Sequence, residues 1–307
     1  MDLSFLHSFE SLFSTDDAVR YTIEHTEIPI LFVSAYLVTV FYVPDFMPSK
    51  GFNLRRLWAF WNLLLSIFSI LGALRTVPYL MTALYEKGFT YTTCADSTTW
   101  FLRHDEFNPV GFWVTLFIYS KIPELIDTVF LVLQRKPVIF LHWFHHVTVL
   151  LYCWHAFANW TASGLWFVAM NFSVHSIMYF YYFLSISGYK SWSKPLAPMI
   201  TTIQLLQMIV GTLVTVNVML VKSRGETCHV ISSNWKLGLA MYVSYFCLFA
   251  ILFYNLYLKP GGKHARNGKR GGAKEKKGEK SELCGVDLKK GDAAGFFHTS
   301  SEKEKLR

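Results

Sequence analysis

The chain has 307 residues, a net charge of +8, 52% hydrophobic and 17% aromatic residues, and a mean hydropathy of +0.30. Only 16% of it is charged, against about 25% in soluble domains, which excludes an ordinary soluble domain and points to a polytopic membrane protein. The positive charge gathers late: 259–280 holds nine Lys or Arg against two Glu among many glycines. That is the composition of a solvated, structureless tail, and next to an apolar segment a positive-inside signal explains it without nucleic acid.

Residues 1–27 are polar and mixed and lack the basic start of a cleavable signal, so the first apolar stretch is expected to stay in the mature chain. Seven apolar stretches follow, at 28–44, 57–74, 111–133, 138–157, 164–186, 196–221 and 235–258. Each is near the length that crosses about 30 Å of hydrocarbon. They do not alternate as barrel strands do, and a helix satisfies its own backbone in lipid, so the expected fold is all-α with seven transmembrane helices. The domain plan is a lumenal segment 1–27, one membrane domain 28–258, and a cytosolic tail 259–307. Loop charge sets the orientation. Lys50, Arg55, Arg56, Arg135, Lys136, Lys190, Lys194 and the tail fall on one side, which places the N-terminus in the lumen and the C-terminus in the cytosol. Lys222 and Arg224 are the bases that run against this order.

Ionisable residues interrupt two adjacent stretches. Lys121, Glu124 and Asp127 lie in the third, and His142, His145 and His146 in the fourth. Such groups at bilayer depth cost several kcal/mol (roughly 2.5–3.5 each by insertion) unless they pair or face a polar cavity, so they mark a functional site. A rise of about 1.5 Å per residue puts Asp127, Glu124 and Lys121 roughly 9, 14 and 18 Å from the cytosolic end of their span. On the same scale the histidines lie roughly 6–12 Å deep, Asn171 and His175 roughly 16–22 Å, and Gln204 and Gln207 roughly 12–16 Å. Most of these groups share one layer in the cytosolic half, which describes a cavity opening to the cytosol.

The histidines have i, i+3, i+4 spacing and share a helix face, where they could ligate a metal or act as base or nucleophile. Lys121, Glu124 and Asp127, followed by Thr128, set a cation between layers of acid; an internally neutralised structural pair is the competing reading. Pro123 is expected to kink this helix. His175, with Asn171 one turn earlier, and Gln204 and Gln207 have ordinary core hydrogen bonding as their competing reading. The run from Tyr179 to Phe183 reads first as packing or an interface belt. Cys153 and Cys247 sit in spans as small apolar fillers. The sequons at Asn159 and Asn171 lie too close to, or inside, the membrane to be used.

Four motifs then stand in order: KIPELIDT at 121–128, HWFHH at 142–146, NFSVHSIMYFYY at 171–182 and TIQLLQ at 202–207. Together they resemble the ELO family of very-long-chain fatty acid elongases, the membrane 3-ketoacyl-CoA synthases of the endoplasmic reticulum, over about residues 25–258. The tryptophan of HWFHH and SILGALRT at 69–76 look like the branch acting on saturated and monounsaturated chains, although the tail after 258 is longer than that branch leads one to expect. The resemblance implies condensation of a long-chain acyl-CoA with malonyl-CoA to a 3-ketoacyl-CoA, CoA and CO2. It implies seven helices, six of them a barrel around a narrow acyl tunnel, and no cofactor beyond the two thioester substrates. His145 is implied as nucleophile, with His142, His146, Asp127, Glu124 and His175 as its catalytic neighbours. Lys121, Asn171, Tyr179, Gln204 and Gln207 are the substrate-contact candidates. The partners implied are the reductase and dehydratase of the elongation cycle, the bilayer, and self-association. Cys94 and Cys228, in the two long lumenal loops of an oxidising compartment, are expected to form a disulfide. Lys303 and Lys305 of the C-terminal KEKLR resemble a KxKxx retrieval signal. A His-box di-iron desaturase or hydroxylase is the alternative; it needs about eight histidines in several clusters, and only His142, His145, His146, His155 and His175 lie in spans.

Overall fold

The structure, a computed structural model, describes residues 10, 12–101, 109–193 and 195–259. Every regular element among them is a helix. In chain order the main ones are α1 (Thr15–Glu24), α2 (Glu27–Phe41), α3 (Arg55–Cys94), α4 (Val110–Ser120), α5 (Ile126–Leu133), α6 (Phe140–Ala158), α7 (Gly164–Ser187), α8 (Leu196–Ser223) and α9 (Ser232–Phe253). The body through Ala250 is one unit. In the second unit, the described residues from Ile251 complete α9 and a π-helical turn, Tyr254–Leu258, with the rings of Phe253 and Tyr257 5.0 Å apart.

Among the described residues, three helices are long and apolar enough to cross a membrane: Arg55–Cys94, Leu196–Ser223 and Ser232–Leu258. A fourth span arises if α1 and α2, bent by 65° at their junction, count as one. α6 and α7 have the length, but histidines, Asn171 and tyrosines replace aliphatic side chains along them. The stretch 111–133 is not one kinked helix. Proline has no N–H to continue the ladder, and at Pro123 the chain gives way to a 3₁₀ turn, Pro123–Leu125, between α4 and α5. Lys121, at the C-cap of α4, reaches across this break to Glu124 on the turn.

The N-terminal segment is more than a polar lead-in. Ser14 accepts from the Asp17 amide to cap α1. Thr22 meets the Tyr119 hydroxyl at 2.9 Å, and the Trp154 indole donates to the Thr22 carbonyl at 2.9 Å. Buried Glu10 accepts from both Arg75 (3.0 and 3.2 Å) and the Trp113 indole (2.6 Å). These contacts fasten Glu10 and α1 to α3, α4 and α6.

α7 packs along most of α3. The two approach closely because Gly72 lies flat against Phe172, where an added Cβ would fall 2.4 Å from the ring. Phe172 is fully buried, with the rings of Phe117, Phe68 and Trp113 at 5.0, 5.4 and 6.3 Å. Gly211 serves the same purpose between α8 and Tyr242 of α9. Small residues let helices touch in a membrane interior where lipid offers no hydrophobic drive between them. α3 is broken near its far end by Gly88, whose φ of +83° only glycine adopts without strain.

Past that break, Cys94 is bonded to Cys228, with 4.4 Å between their Cα atoms. His229 N–H donates to the Cys94 carbonyl and Ala162 N–H to the His229 carbonyl, so three loops are tied at one end of the bundle. Lys222, a base on the unexpected side, donates to the carbonyls of Cys228 and Val230 and fastens the same loop. Cys153 is buried, whereas Cys247 is exposed. The tail from 260 on, including Lys303 and Lys305, and Lys194 lie outside the described residues.

Candidate active site

Two polar networks meet at the middle of the bundle. The first starts on the 3₁₀ turn. Lys121 Nζ donates to both Glu124 oxygens at 2.8 and 3.0 Å, and both side chains are buried. Ser120 donates to Glu124 at 2.9 Å, and the ammonium also lies 3.8 Å from the centre of the Phe117 ring. From Lys121 the network crosses to α7. Asn171 Oδ1 accepts from Lys121 at 3.4 Å, and its Nδ2 meets His175 Nε2 at 3.2 Å. One turn on, the Tyr179 ring stands 5.2 Å from His175 and its hydroxyl donates to Asp127 at 2.9 Å. The other Asp127 oxygen accepts from the Trp61 indole of α3 at 2.7 Å. Both oxygens of each carboxylate are thus engaged, those of Glu124 in charge-assisted bonds to Lys121 and those of Asp127 by the neutral Trp61 and Tyr179 donors.

The second network holds the histidines. The spacing along α6 brings the rings of His142 and His146 to 4.6 Å, and those of His145 and His146 to 5.6 Å. His142 Nε2 meets the Thr128 hydroxyl at 2.8 Å, and Thr128 meets the Tyr36 hydroxyl of α2 at 2.9 Å. On the other side, Tyr245 of α9 lays its ring 5.0 Å from His145. Its hydroxyl bonds Thr148 and, at 3.3 Å, donates to the His145 carbonyl. His145 Nδ1 is buried and has no hydrogen-bond partner among the described residues. A buried polar atom left so is uncommon and calls for an explanation.

The site therefore gathers Lys121, Glu124, Asp127, His142, His145, His146, Asn171, His175 and Tyr179. The carboxylates reach the histidines less directly than their depth suggests: Thr128 touches His142, while Asp127 is held by Trp61 and Tyr179. Gln204 and Gln207 stand apart; Gln204 donates to Met178 Sδ at 3.4 Å, and neither is bonded to a histidine. Tyr36, Trp61 and Tyr245 carry no sequence signal, being single polar residues in apolar spans far along the chain, whereas Thr148 follows the histidine box by two residues. Among the described residues no three His, Cys, Asp or Glu side chains are grouped to hold one ion.

Several bases on the Arg55 side are engaged with protein. Arg55 donates to the Ile186 carbonyl at 2.6 Å, Arg135 to the carbonyls of Pro48 and Met47, and Lys136 lies 4.0 Å over the Trp58 ring.

The model of the GNS1/SUR4 family, ELO, matches residues 21–265. The chain belongs to the ELO family. Among its relatives, "Fatty acid elongase 3" of Trypanosoma brucei brucei is 43% identical over 285 residues, covering 85% of this chain and 92% of that protein. "Very long chain fatty acid elongase 4" of Trypanosoma cruzi is 50% identical over 250 residues, covering 78% and 85%. "Very long chain fatty acid elongase 6" of Drosophila melanogaster is 39% identical over 266 residues, covering 86% and 82%. The matched ELO region contains both networks. Family and apolar helices together make this a multi-pass membrane protein.

Proposed function

We propose that this chain, a fatty acid elongase of the acyltransferase type, condenses a saturated or monounsaturated long-chain acyl-CoA with malonyl-CoA through an acyl group carried on His145. The observation that carries the reading is His145 Nδ1, buried and unpartnered beside tethered neighbours. A neutral imidazole attacks a thioester carbonyl directly, and the acyl-imidazole it forms is itself reactive. The C–N bond forms as the C–S bond breaks, and CoA leaves with the imidazole proton. Malonyl-CoA then loses CO2, and its C2 carbanion attacks the acyl carbon. The C–N bond breaks and the departing imidazole takes up a proton from solvent, giving a 3-ketoacyl-CoA two carbons longer and free, neutral His145. Lys121, Asn171 and His175 are placed to face the charge that develops on oxygen.

In this reading seven helices span the membrane, and six surround the acyl chain, whose CoA head lies at the cytosolic mouth. The thioesters are the only small molecules required. The chain works in the endoplasmic reticulum beside the reductase and dehydratase that use its product, with its N-terminus lumenal and its C-terminus cytosolic.

Incubation with acyl-CoA alone tests the chemistry. Released CoA and a protein mass gain of one acyl group are expected, and His145→Ala should abolish both. CoA release that waits for malonyl-CoA would refute the double displacement. An adduct surviving in His145→Ala would move the nucleophile elsewhere.

A further inference from the structure

The chain Tyr36–Thr128–His142 fixes more than a contact. Thr128 Oγ1 lies 2.9 Å from the Tyr36 hydroxyl and 2.8 Å from His142 Nε2. Tyr36 is 3% exposed and Thr128 0%, and among the described residues neither hydroxyl has another hydrogen-bond partner. Thr128 has one proton, so the two bonds can run in three ways, and the one in which Thr128 accepts from both neighbours leaves its own buried proton without an acceptor. If His142 donates from Nε2 to Thr128, and Thr128 to Tyr36, the phenolic proton is buried without an acceptor. A buried donor left unsatisfied costs about 1–3 kcal/mol. If Tyr36 donates to Thr128, and Thr128 to His142 Nε2, every hydroxyl proton is used. The last direction makes Nε2 an acceptor and leaves the imidazole proton on Nδ1.

We propose that Tyr36 is a positioning residue of the condensation site, acting through Thr128 to hold His142 in the tautomer protonated on Nδ1. Which ring nitrogen carries the proton is set by the hydrogen bond the other makes, and here α2 supplies the far end of that bond. His142, its acceptor nitrogen held by Thr128, then presents a fixed donor, Nδ1–H, with the His146 ring 4.6 Å away and that of His145 5.6 Å from His146. The Tyr36 ring, 6.0 Å from that of His146, backs the same cluster. The inference rests on the elongase reading, with α2 as a working wall of the site.

The test compares Tyr36→Phe, Thr128→Val, Thr128→Ser and the double variant Tyr36→Phe/Thr128→Val in the full chain, each supplied with acyl-CoA and malonyl-CoA. Partners that orient metal-ligating histidines are typically worth about 10- to 100-fold in activity, and the same scale is taken for a histidine oriented in a metal-free site. Tyr36→Phe and Thr128→Val are therefore expected to lower kcat by about that factor, with KM for acyl-CoA unchanged. The double variant should be no slower than the slower single, because both act through one chain, and Thr128→Ser should retain activity. Wild-type kcat in Tyr36→Phe, a change confined to KM, or a double loss equal to the product of the singles would overturn the proposal. Lost thermal stability in Tyr36→Phe with Thr128→Ser equally inactive would also overturn it, by making the chain structural. If the wild-type protein makes no product from the two thioesters, the elongase reading itself fails. If it does and Tyr36→Phe matches it, only the positioning role fails.

Discussion

Replacing Lys121 with Met, or Glu124 with Gln, should be among the most damaging single changes in the bundle. The side chains are 2% and 5% exposed, and Nζ contacts both carboxylate oxygens, at 2.8 and 3.0 Å. Two unit charges about 3 Å apart attract by about 5 kcal/mol at an effective dielectric constant near 20. Removing both ions from water costs several kcal/mol each, of similar size, so the intact pair contributes little net stability, whereas breaking it costs about 3–5 kcal/mol. Lys121→Met leaves Glu124 with only the Ser120 hydroxyl, and Glu124→Gln leaves the ammonium with Asn171 and the Phe117 ring. The double variant Lys121→Met/Glu124→Gln strands no charge and should recover most of the loss. Unfolding titrations in mixed micelles measure the stabilities, and malonyl-CoA-dependent condensation gives the activities. Restored stability without restored turnover would separate the role of the pair in the reaction from its role in the fold. Single variants as stable as the wild type, or a double variant as unstable as the sum of the singles, would refute the reasoning.

Gly72→Ala should destabilise by about 1–3 kcal/mol through overpacking, since its Cβ would fall 2.4 Å from the Phe172 ring; a wild-type thermal midpoint would refute it. Cys94→Ser opens a cross-link spanning 134 residues, which the chain-entropy account values at about 5 kcal/mol at most; alkylation of both cysteines in the native, unreduced protein would refute the bond. Asp127→Asn retains one carbonyl acceptor for two donors, Trp61 and Tyr179. Leaving one of them unsatisfied should cost about 1–3 kcal/mol, with reduced condensation, whereas unchanged stability and turnover would show that neither bond matters.

What the sequence determined is what short-range pattern can carry. Low charge and long apolar runs led to helices in lipid, and the i, i+3, i+4 spacing put three histidines on one face of α6 wherever that helix packs. The rise per residue placed most of Lys121, Glu124, Asp127, Asn171, His175 and the histidine box in one layer. Depth along each helix is a one-dimensional quantity, and the chain states it directly. Rotation about the helix axis and the choice of neighbour are not stated. They follow from packing such as Gly72 against Phe172, so only the tertiary structure turned Asp127 toward Trp61 and Tyr179 while giving His142 to Thr128. The same holds for Gln204, at the right depth yet bonded to Met178. Tyr36 and Tyr245 lie about a hundred residues from their partners, with separations of 92 and 100, and a lone tyrosine in an apolar span looks the same in sequence whether it meets lipid or a histidine. Pro123 announced a disturbance of the helix, but only the tertiary structure showed it to be a 3₁₀ turn, Pro123–Leu125, and not a kink.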